Sequence, residues 1–135
     1  MKDGQREFSS FFLDTEDGLA KIEIDLKYKD FNAKQDFPWV VILQLEVIDP
    51  NEVNHPESTE VEELDEIEQV ILELLSSTQS VHHVARIAID GWRDTILYID
   101  KPTFPERSMT KLLDEINEDR GINFSLEQVT YHQYQ

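Results

Sequence analysis

The segment from Val84 to Ile99 restricts the fold of this chain more than any other stretch of its sequence. Two runs of mostly β-branched and aromatic residues flank the dipeptide Asp90-Gly91. Asp-Gly adopts the positive φ values that a two-residue hairpin turn requires. The pattern therefore predicts two adjacent antiparallel strands, and the fold must contain a sheet built around them.

Three further segments have strand character. Phe8 to Leu13 and Leu19 to Tyr28 are joined through Asp17-Gly18, which predicts an N-terminal hairpin within residues 7–28. In its second strand apolar residues alternate with charged ones, so one face should pack while the other meets water. The run from Trp39 to Ile48 is almost entirely apolar and predicts a central strand.

A first helix is indicated after residue 58. Thr59 and Glu62 have the spacing of a capping box, and apolar residues then recur every three or four positions up to Leu75. The pattern predicts an amphipathic helix whose other face is acidic. We expect that face to carry Glu60, Glu62, Glu63, Asp65, Glu66 and Glu68.

A second helix and a last strand complete the pattern. Thr103, Pro105 and Glu106 resemble a helix start, and Gly121 is a typical helix stop. Residues 122–131 then read as a final strand.

The order of these segments indicates the fold class. We expect a single α+β domain over residues 1–135, with one mostly antiparallel sheet and both helices on one face. Residues 39–131 follow the β-α-β-β-α-β order of a ferredoxin-like sandwich, and the N-terminal hairpin is an addition to it. The other sheet face should be partly open, or covered by the hairpin or by a partner.

The charge of the chain limits its partners. With 29 acidic and 12 basic residues the formal net charge is −17, which opposes direct binding of nucleic acid. No Lys or Arg occurs between Lys34 and Arg86, so the negative charge is concentrated in one region. That region is either a solvated surface or a surface that steers a basic partner.

Location and cofactors follow from what the composition lacks. The chain contains no cysteine, and its first residues form no apolar signal segment, so a cytoplasmic protein is expected. His82 and His83 are adjacent and have no second ligand at the spacing of a metal site. The loop after Asp49 is close to the spacing of a calcium loop, but Val53 and Asn54 occupy positions that need an oxygen ligand and Gly. Since no nucleophile or phosphate-loop motif is present either, we assign no catalytic, cofactor or metal residues.

Several stretches resemble a known bacterial family of uncharacterised proteins, the domain of unknown function 695. The resemblance extends over nearly the whole chain and is carried by Lys34-Gln35-Asp36-Phe37-Pro38-Trp39, Asp49-Pro50-Asn51, Glu63-Leu64 with Ile67-Glu68, and the segment from Val84 to Tyr98. That family is similar in fold to the regulator of ribonuclease E activity B, a small acidic protein that acts by binding an enzyme. The resemblance thus implies a ferredoxin-like fold and a bacterial cytoplasmic setting, but no activity.

The hairpin around Trp92 is the most function-like cluster in the sequence. Alternation places Trp92, Asp94 and Tyr98 on one face of the strand and Arg93 on the other. Together with Arg86, these residues either brace the hairpin or form an anion-binding or protein-contact site.

Three functions are consistent with these observations. The first is a non-enzymatic protein-interaction or regulatory domain that uses the open sheet face, the Trp92 hairpin, or the acidic helix with Glu62, Glu63 and Glu66. The second is an inhibitor or immunity-type protein that covers a basic nuclease. The third is a small enzyme or ligand-binding module with a cleft near Arg86, Trp92 and Tyr98.

Overall fold

The computed structural model describes residues 8–28 and 37–128, which form one antiparallel sheet and two helices. A short 3₁₀ turn, Leu26–Tyr28, follows the second strand. The strands are β1 (Phe8–Thr15), β2 (Gly18–Asp25), β3 (Trp39–Glu46), β4 (Val81–Ile89), β5 (Trp92–Ile99) and β6 (Ile122–Gln128), and the helices are α1 (Ser58–Ser76) and α2 (Glu106–Asn117).

The six strands are ordered β1-β2-β4-β5-β3-β6, and every neighbouring pair is antiparallel. Helix α1 connects β3 to β4, which lie on either side of β5, and α2 connects β5 to β6, which lie on either side of β3. The α+β class and the antiparallel sheet predicted from the sequence are therefore confirmed. The N-terminal hairpin extends the sheet beside β4.

One face of the sheet forms the hydrophobic core with both helices. Alternate residues of β3 and β5 are fully buried there, among them Leu43, Leu45 and Leu97, and they pack with Leu64 of α1 and Met109 of α2. Because apolar side chains recur along α1 every three or four positions, one stripe of the helix reaches this core. We call this side of the sheet the helix face and the other side the open face.

The turn between β4 and β5 has the geometry expected from its sequence. Asp90 and Gly91 have φ values of 49° and 81°, as a two-residue hairpin turn requires. Further along the hairpin, the pairing register shifts between His83 and Ala85, so Val84 is an extra residue in β4. This bulge turns His83 toward the helix face, opposite Leu97, while His82 lies opposite Tyr98 on the open face.

Some predicted boundaries were wrong. Helix α1 begins at Ser58, and its N-cap residue is Glu57, whose side chain makes no capping hydrogen bond. The predicted capping box of Thr59 and Glu62 therefore does not form. Strand β2 ends at Asp25 and not at residue 28.

The end of α2 also differs from expectation. The helix ends at Asn117, and Gly121 lies beyond a further turn. Space at Gly121 is tight, because a Cβ there would lie 3.1 Å from the Trp92 ring and 3.3 Å from Glu46 Oε1, and these side chains would have to shift by a few tenths of an ångström. The predicted last strand reached residue 131, and its final three positions lie outside the described residues.

Candidate functional site

The sheet separates the hairpin residues that the sequence placed in one cluster. Trp92, Asp94 and Tyr98 lie on the open face, whereas Arg93 lies on the helix face and is only 4% exposed. Arg86 pairs with Thr95 across β4 and β5 and therefore shares the helix face. The structure thus brings Arg86 and Arg93 together, but it does not bring Arg86 into one cleft with Trp92 and Tyr98.

Arg86 and Arg93 meet at a buried carboxylate, Glu68 of α1, which is 2% exposed. Arg86 donates to Glu68 through Nε, 3.0 Å from Oε2, and through Nη2. Arg93 Nη2 donates to Oε2 at 2.8 Å, and the Thr95 hydroxyl donates to the same oxygen at 2.6 Å. His83 Nδ1 lies 3.7 Å from Oε1. We call these five residues the Glu68 cluster.

Electrostatics keep Glu68 ionised inside the protein. Burial alone would raise its pKa, but the hydrogen bond from Arg86 and the positive charges of Arg93, His83 and Arg86 outweigh burial and lower the pKa to about 2. In the same way, burial acts to lower the pKa of Arg86, while the hydrogen bond and charge of Glu68 raise it overall. Each charge is therefore stabilised by its partners, as a buried ion pair requires.

A cleft opens beside this cluster on the helix face. It has a volume of about 380 Å³ and lies between strands β1, β2, β4 and β5, the loop that follows β3, and the start of α1. We call it the Arg93 cleft. Its lining residues are Phe12, Lys21, Glu23, Asn51, Val53, His55, Pro56, Val61, Asp65, Arg86, Ala88 and Arg93.

One buried donor in the Arg93 cleft has no acceptor. Arg93 Nε is inaccessible to solvent and makes no hydrogen bond. The Nη2 atom of the same side chain lies 2.7 Å from Asp65 Oδ1 and forms an ion pair with it. The geometry of this pair does not meet the requirements of a hydrogen bond, so Asp65 Oδ1 also has no hydrogen-bond partner. Buried polar groups in folded proteins are nearly always hydrogen-bonded. Arg93 Nε and Asp65 Oδ1 are two exceptions, and both belong to residues that line this cleft.

The acidic residues of α1 that the sequence singled out lie at the surface. Glu62 and Glu66 are exposed, and Glu63 is exposed while accepting a hydrogen bond of 2.9 Å from Arg120 Nη2. The expectation that Glu60 and Glu68 share this solvated surface was wrong, because both are buried.

Glu60 forms a second buried ion pair. Its carboxylate accepts the backbone N–H groups of Ile48 at 2.6 Å and Asp49 at 2.9 Å, and Arg120 Nη1 at 2.9 Å. Burial acts to raise its pKa, but these three donors together lower it. Arg120 also donates to the Glu46 carbonyl, so one guanidinium connects α1 to the end of β3.

The sequence contained a signal for both buried carboxylates. Glu60 and Glu68 lie four residues before and after Leu64, which is in the apolar stripe of α1. Positions four residues apart share a helix face, so the helical spacing itself places both carboxylates toward the core. The expectation that Glu60 and Glu68 belong to an acidic surface was based on their residue type and not on their position along the helix.

The open face of the sheet is largely apolar. Within the described residues, no helix or second sheet packs on it. Phe11 and Leu13 of β1 and Ile24 of β2 are 43%, 51% and 40% exposed. The register continues this surface through half-buried residues of β2, β4, β5 and β3, which are Ile22, Ala85, Ile87, Ile96, Ile42 and Val40.

One carboxylate lies within this apolar surface. Asp94 is half-buried between Ile87 of β4 and Gln44 of β3 and accepts a hydrogen bond of 3.2 Å from Gln44 Nε2. Burial raises its pKa, and the hydrogen bond from Gln44 offsets only part of that effect. Asp94 therefore places one half-buried carboxyl group near the centre of the open face.

Residues 8–28 and 37–128 contain neither a metal-binding cluster nor a helix that could span a membrane. No three His, Asp or Glu side chains are grouped so that they could hold a metal ion. Neither helix of this part of the chain combines the length and apolar character needed to cross a membrane.

Comparison with known proteins gives a family but no activity. Residues 7–130 match the model of a family described as a family of unknown function, DUF695. No curated protein and no solved structure matches the chain. The match confirms the resemblance inferred from the sequence at the level of that family.

Proposed function

Since the chain belongs to DUF695, a family whose description assigns no activity, we propose a function from the surface of the molecule: a protein-interaction domain that binds its partner through the open face. The observation that carries this proposal is the continuous apolar surface that begins at the exposed Phe11, Leu13 and Ile24. Extended exposed apolar surfaces on folded proteins commonly mark interaction sites.

The strand β1 adds to this surface. It lies at the edge of the sheet, seven of its eight residues are exposed, and Asp14 is its single charged residue. Edge strands are usually protected by Lys, Pro or bulges, because their free backbone groups pair readily with another strand. A partner that covers Phe11 and Leu13 can therefore also add a strand beside β1.

Charge favours a particular kind of partner. A protein with a net charge of −17 attracts basic proteins over distance, and the largely apolar open face then allows apolar contact. We therefore propose a partner with an apolar patch surrounded by Lys and Arg.

The fold is consistent with a regulatory role for this contact. We infer that residues 39–128 are ferredoxin-like, because their strands are ordered β4-β5-β3-β6 and each helix connects strands separated by one neighbour. By analogy with the regulator of ribonuclease E activity B, we propose that the partner is a bacterial cytoplasmic enzyme. This analogy concerns the fold alone.

A second candidate function uses the opposite surface. Glu62, Glu63 and Glu66 border a shallow depression of about 380 Å³ together with Asp49, Thr59 and Glu60. In this second function the protein is an inhibitor, and the acidic end of α1, not the open face, covers a basic nuclease.

Affinity capture with matched variants distinguishes the two surfaces. Wild-type protein is compared with Phe11→Ser/Leu13→Ser, which changes the open face, and with Phe12→Ser, which changes the other side of the same strand. We expect a partner that is retained by wild type and Phe12→Ser and lost from the double variant. Binding of the purified partner should weaken at least tenfold in the double variant and should also weaken with increasing salt.

The acidic helix is tested with Glu62→Gln/Glu63→Gln/Glu66→Gln in the same experiment. If this variant loses the partner while Phe11→Ser/Leu13→Ser keeps it, the open-face proposal is wrong and the inhibitor version is supported. Binding that does not respond to ionic strength would refute the charge argument for both surfaces.

A further inference from the structure

We propose that the partner of the open face supplies an extended segment that pairs antiparallel with β1 and in which apolar and basic side chains alternate. The segment is as long as β1, which has eight residues. This inference rests on the proposed function and names the part of the partner that makes the contact. It starts from a difference between the two edges of the sheet.

The open face is apolar at the β1 edge and polar at the β6 edge. Phe11 and Leu13 are exposed on this face of β1. At the other edge, β6 places Asn123, Ser125 and Glu127 on the same face, and all three are exposed. A strand added beside β1 therefore continues the apolar surface, whereas a strand beside β6 meets polar side chains.

The backbone of β1 can accept another strand. Its pairing with β2 has no register shift along all eight residues, so no bulge interrupts its outer edge. In an antiparallel pair, alternate residues direct their N–H and C=O groups away from the neighbouring strand. Among the described residues, only β2 pairs with β1, and β1 itself contains no Pro or Lys to block its outer edge.

Charge favours basic side chains on one side of the added strand. Asp14, near the end of β1, is followed by Glu16 and Asp17, and all three are exposed. By alternation, Phe12 lies on the same face of β1 as Asp14, and its ring is 59% exposed. A Lys or Arg opposite Asp14 forms an ion pair, and one opposite Phe12 can pack on the aromatic ring.

The same charge argues against a second copy of this chain as the added strand. Each copy has a net charge of −17, and pairing two β1 strands brings these like charges together. The added strand therefore belongs to a basic partner.

The acidic end of β1 determines the order of residues in the added strand. Every neighbouring pair in the sheet is antiparallel, and antiparallel pairing is slightly more stable than parallel pairing. An antiparallel strand begins beside Asp14 and ends beside Phe8, so its basic residues lie in its first half. Because directly opposite residues share a face, apolar residues lie opposite Leu13, Phe11 and Ser9. With Thr as a strand former at the other positions, the pattern is Thr-Lys-Val-Lys-Val-Thr-Val-Thr.

Amide hydrogen exchange of the full chain with this peptide tests the inference. In the free protein, one of two alternate sets of β1 amides should exchange rapidly, because it points away from β2. The two sets are Ser9, Phe11 and Leu13, and Ser10, Phe12 and Asp14. Saturating peptide in the millimolar range should protect that same set at least tenfold.

Two changes to the peptide test the pairing and its direction. Methyl groups on the three Val nitrogens block one edge of the added strand, and methyl groups on the nitrogens of both Lys and the central Thr block the other. These two peptides should differ at least tenfold in affinity, because only one edge faces β1. The reversed peptide, Thr-Val-Thr-Val-Lys-Val-Lys-Thr, should bind about fivefold more weakly at low salt, because antiparallel pairing places its bases away from the acidic end.

A charge variant with a matched control completes the experiment. Asp14→Asn/Glu16→Gln/Asp17→Asn should weaken binding of the original peptide about fivefold at low salt. Asp114→Asn/Glu115→Gln/Glu118→Gln changes the net charge by the same amount at exposed positions near the end of α2 and should leave the affinity unchanged.

Five results would overturn the inference. They are protection of both sets of β1 amides in the free protein, no saturable binding of millimolar peptide, equal affinity of the two methylated peptides, a reversed peptide that binds as tightly as the original or more tightly, and unchanged affinity in the charge variant of β1. The proposed function is tested separately, because partner loss from Phe11→Ser/Leu13→Ser depends on side chains and not on the backbone edge of β1.

Discussion

Replacing Glu68 by Gln should destabilise the protein strongly at neutral pH. The substitution retains the size of the side chain but removes the charge that Arg86 and Arg93 contact inside the protein. The buried Arg93 and the half-buried Arg86 then lose Glu68 as a counterion and, among the described residues, retain only Asp65 as an ion-pair partner. The new amide N–H₂ also faces their N–H donors. Removing one partner of a buried ion pair typically costs about 3–5 kcal/mol.

The pKa of Glu68 gives an independent magnitude. A folded-state pKa of about 2 against an ordinary value of 4.5 corresponds to roughly 3 kcal/mol of stability. Because the folded pKa is depressed, this stability is present above about pH 4.5 and is lost as the pH falls toward 2. The typical cost of a broken buried ion pair and the pKa of Glu68 therefore both give a loss of about 3 kcal/mol in the free energy of unfolding at pH 7.

The pH dependence of stability separates the contribution of the Glu68 charge from that of its packing. Between pH 7 and pH 3 the stability difference between wild type and Glu68→Gln should shrink by about 2 kcal/mol, because wild type loses the contribution of Glu68 and the variant has none to lose. Urea unfolding, followed by the fluorescence of Trp39 and Trp92, measures this difference at each pH. Glu66→Gln, an exposed residue of the same helix, is the control and should change stability by less than about 0.5 kcal/mol. A difference that is small at pH 7, or that is constant with pH, would refute the electrostatic account of the Glu68 cluster.

Three further predictions concern single residues. Asp94→Asn should melt above wild type at pH 7, since burial raises the pKa of Asp94 and its ionisation therefore opposes folding; the advantage should disappear as the pH falls below the ordinary value of 3.8. Arg120→Gln should lower the free energy of unfolding by about 3 kcal/mol in urea titrations, because it leaves Glu60 buried without its counterion, and a loss below about 1 kcal/mol would contradict this. Gly91→Ala should cost about 1 kcal/mol by the same assay, owing to its φ of 81°, and a neutral effect would contradict the turn geometry.

The elements of the fold were predictable because their signals are local. Asp90-Gly91 sets the β4–β5 register, and the alternation of Trp92, Asp94 and Tyr98 with Arg93 follows from that register. The helices were likewise found from apolar spacing. Their start positions were not, because capping-box spacings recur by chance in a chain rich in Glu.

The Glu68 cluster was less accessible to sequence reasoning. Its members come from three elements, and the assignment of Arg86 depended on knowing that its partner is a buried carboxylate of α1. The bulge at Val84, which turns His83 toward Glu68, has no local signature in the sequence. Charged residues inside a core are rare, so residue type alone argues for exposure and misleads at these positions.

The distribution of charge along the chain also determines the order in which the protein can assemble. Ribosomal synthesis produces the carboxylates of α1 before any of their cations, since the nearest guanidinium that binds Glu68 follows it by 18 residues and the one that binds Glu60 follows it by 60. An isolated α1 carries carboxylates at helical spacing without compensation and is a poor helix on its own. A nascent chain truncated before Arg86 should therefore have little helix. Cooperative folding then has to wait until the ribosome has released Arg120.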